Sequence, residues 1–268
     1  DMKDLLKKIA FVPRKLSSGA RPLPDFIQIG AQKGGSSALY KFICAHPDVL
    51  RAFVKEPHYF SGKFHEKSLS WYRAQFPIKS TGQLVGEASP SYCTHPLAPR
   101  RIKELIPEVR LLFIVRNPVD RAVSNYFHSK RYGSEELEIE DAFNRPLADF
   151  ESEYQKMAAE DGYHSSIYNR FGYLHKGLYA LHLKKWYEHF GPEQLLIIEN
   201  NELQTRPKDV YAEVCSFLGL KQWVPEAFKK HNVGKTKEIP ESIKTQLSAF
   251  FKNHNEEFFA LIGKRYNW

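Results

Sequence analysis

Between Asp25 and Pro47 the chain passes from an apolar strand, Asp25-Phe26-Ile27-Gln28-Ile29-Gly30, through the turn Gln32-Lys33-Gly34-Gly35-Ser36-Ser37 into a helix that Pro47 stops. A strand that hands over to a helix within a few residues points to the α/β class. Glycines let backbone N–H groups converge on one point. The helix N-terminus behind them adds roughly half a positive charge. Such a turn cradles phosphate, and Lys33 sets a full charge beside it. The residue order excludes the commonest nucleotide-triphosphate loop, G-x-x-x-x-G-K-[ST], because Lys33 precedes both glycines. Taken alone, the segment is also compatible with a plain βα turn, and Ser36 and Ser37 with ordinary helix caps.

A second strand–helix unit narrows the reading. Leu111-Leu112-Phe113-Ile114-Val115 is a continuous apolar run, as expected of a central parallel strand buried on both faces. Arg116-Asn117-Pro118 ends it, and a helix from Pro118 to His128 follows. Ligands of open α/β sheets sit at the carboxyl ends of strands, where Arg116 lies. A triphosphatase needs an acidic metal ligand there. Arginine in that place implies an anion neutralised by side chains rather than by magnesium, with the Ser124 hydroxyl two helical turns on as a further donor.

Strand–x-Lys-Gly-Gly-Ser-Ser–helix followed by strand–Arg-Asn-Pro-Val-x-Arg-Ala-x-Ser–helix resembles the two nucleotide-binding elements of sulfotransferases that use 3′-phosphoadenosine 5′-phosphosulfate (PAPS). Lys55-Glu56-Pro57-His58-Tyr59-Phe60, Leu69-Ser70-Trp71-Tyr72, Glu87-Ala88-Ser89-Pro90-Ser91-Tyr92 and Gly177-Leu178-Tyr179 with Trp186 and Phe190 resemble segments of the heparan sulfate (glycan) branch. The resemblance runs from about Pro24 to Leu220. It implies that Lys33, Gly34, Gly35, Ser36 and Ser37 hold the 5′-phosphosulfate. It implies that Arg116 and Ser124 hold the 3′-phosphate and that 3′-phosphoadenosine 5′-phosphate (PAP) is the product. Glu56 becomes the general base, and His58 a residue that orients Glu56 or binds the acceptor. A loop carrying Gly234 and Lys235 closes over the nucleotide. Lys33 then stabilises charge growing on the departing phosphate. Two departures stand out: the branch's lysine before Thr-Pro-Ser-Tyr is Ala88 here, and the acidic residue that often follows Glu-Pro-His-Phe-Phe is Ser61. Both positions lie near the acceptor in the family, so heparan sulfate itself is not carried over. A hydroxyl-bearing acceptor is expected, with glycans the leading class.

The rest of the sequence sets bounds. A chain of 268 residues is expected to form one domain around one core. A basic arm over 1–23 leads, linker-like, into a catalytic domain over 24–268, a P-loop-like parallel sheet flanked by helices. Further strands are expected at Leu50–Val54 reaching Glu56, at Gln83–Glu87 and at Gln194–Glu199. Helices are expected at Pro99–Ile106, Gly177–Phe190, Val210–Leu218 and about Glu241 to Ile262. A polar, helix-biased insertion spans Tyr132–Asn169. Trp71, Tyr92 and Trp186 are read as core.

A net charge of +8 favours anionic partners. The basic residues are scattered, which argues against nucleic acid. No apolar run approaches the roughly 20 residues of a membrane span. Three cysteines, Cys44, Cys93 and Cys215, show no C-x-x-C spacing. They point away from zinc. Luminal members of the resembled family commonly carry a disulfide near the C-terminus and no close cysteine pair follows Cys215, so the resemblance implies a reducing cytoplasm, with the Golgi lumen as the alternative if an anchor has been removed. No metal is expected. Two rivals stand beside the sulfotransferase reading. A metal-dependent nucleotide kinase of similar architecture would lose activity to a chelator. A non-catalytic anion- or glycan-binding module would bind nucleotide without turnover.

Overall fold

A computed structural model describes residues 2–62, 67–225 and 238–268. Five strands form one parallel sheet: β1 (Phe26–Gly30), β2 (Val49–Arg51), β3 (Leu84–Ala88), β4 (Arg110–Val115) and β5 (Leu195–Glu199). Their spatial order is β2-β3-β1-β4-β5. Phe26 pairs with Gly86 on one side and with Arg110 on the other. The chain fills one side of β1, edge strand first, and then the other. The crevice at the carboxyl ends of β1 and β4 is therefore the switch point, where open α/β sheets place ligands.

Alternate residues of a strand point to opposite faces, so each face has its own core. Ile27, Ile29, Leu111 and Phe113 pack with Phe60, Tyr72, Tyr92, Trp186 and Phe258. Phe26, Leu112 and Ile114 pack with Leu39, Ile43, Val214 and Leu218. Tyr92 and Trp186 are buried as expected, whereas Trp71 is only partly covered.

The helices are α1 (Met2–Leu16), α2 (Ser36–Ile43), α3 (Leu69–Arg73), α4 (Ala98–Leu105), α5 (Pro118–Arg131), α6 (Ile139–Phe143), α7 (Leu147–Ala159), α8 (Ser166–Phe171), α9 (Tyr179–Tyr187), α10 (Asn200–Thr205), α11 (Pro207–Leu218) and α12 (Glu241–Ile262). Three differences from the sequence reading have physical causes. The lead-in arm is largely helical, because Phe11 packs on Phe53 and Trp71 and gives α1 a surface to settle on. The second strand stops at Arg51. The next amides leave the ladder: Ala52 N–H donates to the Tyr40 hydroxyl and Phe53 N–H to the Gln75 carbonyl. Ser36 and Ser37 are not caps. Gly35 takes the N-cap position with φ 105°, and the two serines form the first turn behind it.

Candidate active site

The glycine turn is held from both sides. Ala31 N–H donates to the Ile114 carbonyl at 2.6 Å, and Gly34 N–H to the Ala31 carbonyl at 2.9 Å. A Cβ on Gly34 would lie 2.8 Å from the Ile114 oxygen, so only glycine fits against β4. Gly35 needs its freedom twice. Its φ is left-handed, and the Asn200 amide fills the space a Cβ would take. That amide donates to the Gly34 carbonyl at 2.8 Å. The first-turn N–H groups of α2 have no intrahelical acceptor. They are left as donors at the mouth of the turn.

Cations converge on this mouth. Lys33, with φ 66°, carries its ammonium to 3.4 Å from His128 Nδ1. Burial, with the charges of Arg131 and Arg116 beside it, holds the Lys33 ammonium below the usual lysine range. Burial, then Lys33 and Arg131, lowers His128 in the same way, so its imidazole is neutral near pH 7 and accepts from Lys33. On α5, Asp120, Ser124, His128 and Arg131 follow one another at steps of four and three, which puts them on one face. Arg116 sits at the end of β4, its backbone tied to the Tyr179 hydroxyl, which donates to the Arg116 carbonyl at 2.9 Å. Its nearest acid is Asp120, at 3.6 Å. Lys33, Arg116 and Arg131 thus face a common space with little local compensation. Such a site gains most from an anion.

A second group approaches from the far side. Glu56 Oε1 accepts from Lys55 Nζ at 2.6 Å, and Glu56 Oε2 lies 3.4 Å from His58 Nε2. Burial pushes the Glu56 carboxyl up. Hydrogen bonds from His58 and Lys55 outweigh it and leave the group below the usual carboxylate range. Lys55 Nζ also reaches Ser37 Oγ at 2.8 Å, which bridges the carboxylate to the first turn of α2. His58 has φ 51°, donates its backbone N–H to Ser89 Oγ at 3.1 Å and pairs through Nδ1 with Ser91 Oγ at 2.8 Å. Ser61, where the family often has an acid, meets the same Ser91 hydroxyl at 2.9 Å.

Behind these residues lies Glu87, fully buried. It accepts from Tyr72 at 2.7 Å, Tyr92 at 3.1 Å and Ser89 at 2.5 Å. Burial overcomes the three donors and raises its carboxyl to about 7. Through Ser89, Glu87 fixes the backbone of His58.

The structure therefore brings together Lys33, Gly34, Gly35, Ser36, Ser37 and Arg116 at the turn, sets Ser124 on the α5 face between Asp120 and His128, and ties Glu56, with His58 beside it, to Ser37 through Lys55. Gly234 and Lys235 lie outside the described residues. Sequence reasoning missed Lys55, His128, Arg131 and Asn200. The spacing from Ser124 to His128 and Arg131 carried a signal for two of them, and Lys55 stood within a recognised segment. Asn200 carried none, because its partner Gly34 is 166 residues away. Lys176 was also missed. It is buried, donates to Gln32 Oε1 at 3.2 Å and to the Asn169 carbonyl at 2.6 Å, and burial, with Arg121 adding, lowers it to about 7.

The family model "Sulfotransferase domain" matches residues 23–263. The chain is 32% identical over 279 residues to mouse heparan sulfate glucosamine 3-O-sulfotransferase 3A1, covering 94% of this chain and 66% of that protein. It is 30% identical to mouse heparan sulfate glucosamine 3-O-sulfotransferase 6, covering 96% of this chain and 77% of that one. The chain thus spans about two thirds to three quarters of these relatives. A sulfotransferase crystal structure from Alicyclobacillus acidocaldarius superposes with a TM-score of 0.74 at 27% identity, covering 91% of this chain and 98% of that one. Mouse sulfotransferase SULT7A1, solved as a complex with PAP, shares the fold at a TM-score of 0.55 and 15% identity, covering 90% of this chain and 87% of that one. The chain belongs to the sulfotransferase domain family.

Proposed function

We propose that the chain moves a sulfuryl group from PAPS to a hydroxyl of a glycan acceptor by direct in-line transfer. The observation that carries this reading is the meeting of two groups. One is a cationic cradle in which no Cβ fits, built from Gly34, Lys33, Arg116 and Arg131. The other is an ionised carboxylate, Glu56, tied to that cradle through Lys55 and Ser37. The first-turn N–H groups of α2 and Lys33 receive the 5′-phosphosulfate. Arg116 and Ser124 receive the 3′-phosphate, for which a guanidinium fork is well matched.

Transfer forms an S–O bond to the acceptor oxygen as the bond from sulfur to the 5′-phosphate oxygen breaks. The acceptor proton passes to Glu56, and the electron pair leaves with PAP. His58 orients Glu56 by its 3.4 Å approach to Oε2. Lys33 stabilises the charge that grows on the leaving phosphate. The glycan reading is supported by the names of the relatives. Ala88 and Ser61 stand where the resembled branch has a lysine and often an acid near the acceptor, so heparan sulfate itself is not carried over as the acceptor. We further infer that residues 24–268 form the catalytic unit, with the preceding arm docked on it through Phe11 and Arg14. Three buried, unpaired cysteines support a reducing compartment, the cytoplasm.

Labelled PAPS offered with a panel of glycans and simple alcohols tests the reading, with PAP release as the signal. With a working acceptor, Glu56→Gln is expected to lower turnover by about 10²–10⁴ while leaving PAP binding intact. A chelator is expected to change neither. Near wild-type turnover in the variant removes Glu56 from the mechanism. Donor binding with no turnover on any acceptor removes the enzyme reading.

A further inference from the structure

The helix α1 turns an apolar stripe away from the protein. Met2, Leu6, Ile9, Val12 and Leu16 are all exposed, Leu16 by 84% and Met2 by 77%. At 3.6 residues per turn these five fall within an arc of about 120°. The opposite face is the docked one. Phe11 meets Phe53 with ring centroids 5.5 Å apart and Trp71 at 6.0 Å. Arg14 lies over the Phe53 ring and donates to the carbonyls of Ala74 at 2.7 Å and Gln75 at 3.2 Å. The helix is thus fixed by its far side, and the stripe is not an inward face left undocked.

Exposed apolar residues collect at this corner. Of the twelve large hydrophobics exposed among the described residues, five are on α1. Val54 follows Phe53 and Leu69 opens α3, the segments on which α1 rests. A contiguous exposed patch marks an interaction surface. The charge around it says which kind. The sequence of α1 holds Lys3, Lys7, Lys8, Arg14 and Lys15 against one acid, Asp4. Lys8 and Lys15 are exposed and fall beside the stripe on the helical wheel. A second copy of the chain would bring like charges face to face, which works against self-association. A narrow apolar stripe bordered by lysines along about 22 Å of helix matches the boundary of an anionic bilayer. The helix lies on such a surface and does not span it: no described helix is long and apolar enough to cross a membrane.

We propose that α1 docks the protein on anionic lipid surfaces, with Leu6, Ile9, Val12 and Leu16 entering the interface and the lysines meeting headgroups. The docked helix is anchored on Phe53, three residues before Glu56. The membrane contact and the acceptor-side carboxylate therefore belong to one segment.

Cosedimentation of the full chain with vesicles tests this. Vesicles of equal phosphatidylcholine and phosphatidylglycerol are expected to bind the protein, and vesicles of phosphatidylcholine alone to bind at least about tenfold less. Raising salt from about 0.1 M to 0.5 M is expected to lower binding to the anionic vesicles severalfold. Leu6→Ser/Ile9→Ser is expected to reduce it at least about tenfold by removing apolar area, and Lys8→Ser/Lys15→Ser to reduce it severalfold. Calorimetric binding of PAP by the same variants is expected to match wild type, which verifies folding independently of turnover. No binding to anionic vesicles overturns the proposal, as does binding that both double variants retain. A wild-type dimer that Leu6→Ser/Ile9→Ser converts to a monomer in light scattering also overturns it and assigns the stripe to a second copy.

Discussion

Glu56 and Glu87 lie in the same site region and are driven in opposite directions. Glu56 is partly buried but faces Lys55 and His58, and the two hold it ionised. Glu87 is buried among tyrosines and a serine, and burial wins. Environments that push a pair of carboxylates in opposite directions also divide their roles. Glu56 is the one fit to accept a proton. Lys55 sets how fit it is, so Lys55→Met should raise the Glu56 pKa, because a cation that favours the charged form is gone. The acid limb of the kcat/KM profile then moves to higher pH, while the product nucleotide still binds. A profile that keeps its acid limb would free Lys55 from this role. The carboxylate was legible in the sequence as a member of Glu56-Pro57-His58. The role of Lys55, though it stood within the same segment, was not, because its bridge to Ser37 depends on how β2 ends.

At the scale of the element, the turn between β1 and α2 is a device made by three others. β4 supplies the Ile114 carbonyl, α10 supplies Asn200, and α5 supplies His128 and Arg131. Gly34→Ala tests the fit. A methyl group 2.8 Å from a backbone oxygen cannot be accommodated by a side-chain movement. Overpacking of this kind costs about 1–3 kcal/mol, and the turn must shift. Thermal unfolding should show the loss, and calorimetry should show PAP binding weakened at least about tenfold. An alanine variant with wild-type binding would mean that the turn does not hold phosphate. β1 and β4 were readable because each is a short, mostly apolar run closed by a motif. α10 was not, since six residues carry no reliable period. β2 was over-read, since apolar residues from Leu50 to Val54 also suit a loop under α1: Phe53 meets Phe11, and Val54 is exposed.

For the whole molecule, the parallel sheet was legible from the alternation of strands and helices. The order β2-β3-β1-β4-β5 was not, because register and neighbour choice depend on contacts far apart in sequence. The buried node at Glu87 couples folding to pH. Its carboxyl sits at about 7 in the folded chain and near 4.5 when unfolded. Between those values the unfolded chain releases a proton that the folded chain keeps. Stability from this group is therefore greatest below about pH 4.5 and falls as pH rises to 7, by about 3 kcal/mol at the full shift. Carbon-13 NMR of the glutamate carboxyl carbons should find Glu87 titrating near 7. A midpoint below 5 would show that the three donors, not burial, govern it.

We propose above all that the β1–α2 turn and Arg116 hold a nucleotide bearing phosphates at both the 5′ and 3′ positions. Calorimetry with PAP and with adenosine 5′-phosphate, on wild type and Arg116→Ala, tests it without any acceptor. A charge-assisted bond to the 3′-phosphate is worth roughly 1.5–3 kcal/mol, or about 10- to 150-fold. Wild type should prefer PAP by at least that lower bound, and Arg116→Ala should lose most of the preference while binding adenosine 5′-phosphate as before. Equal affinity of wild type for the two nucleotides, or an equal loss for both in the variant, would contradict the account.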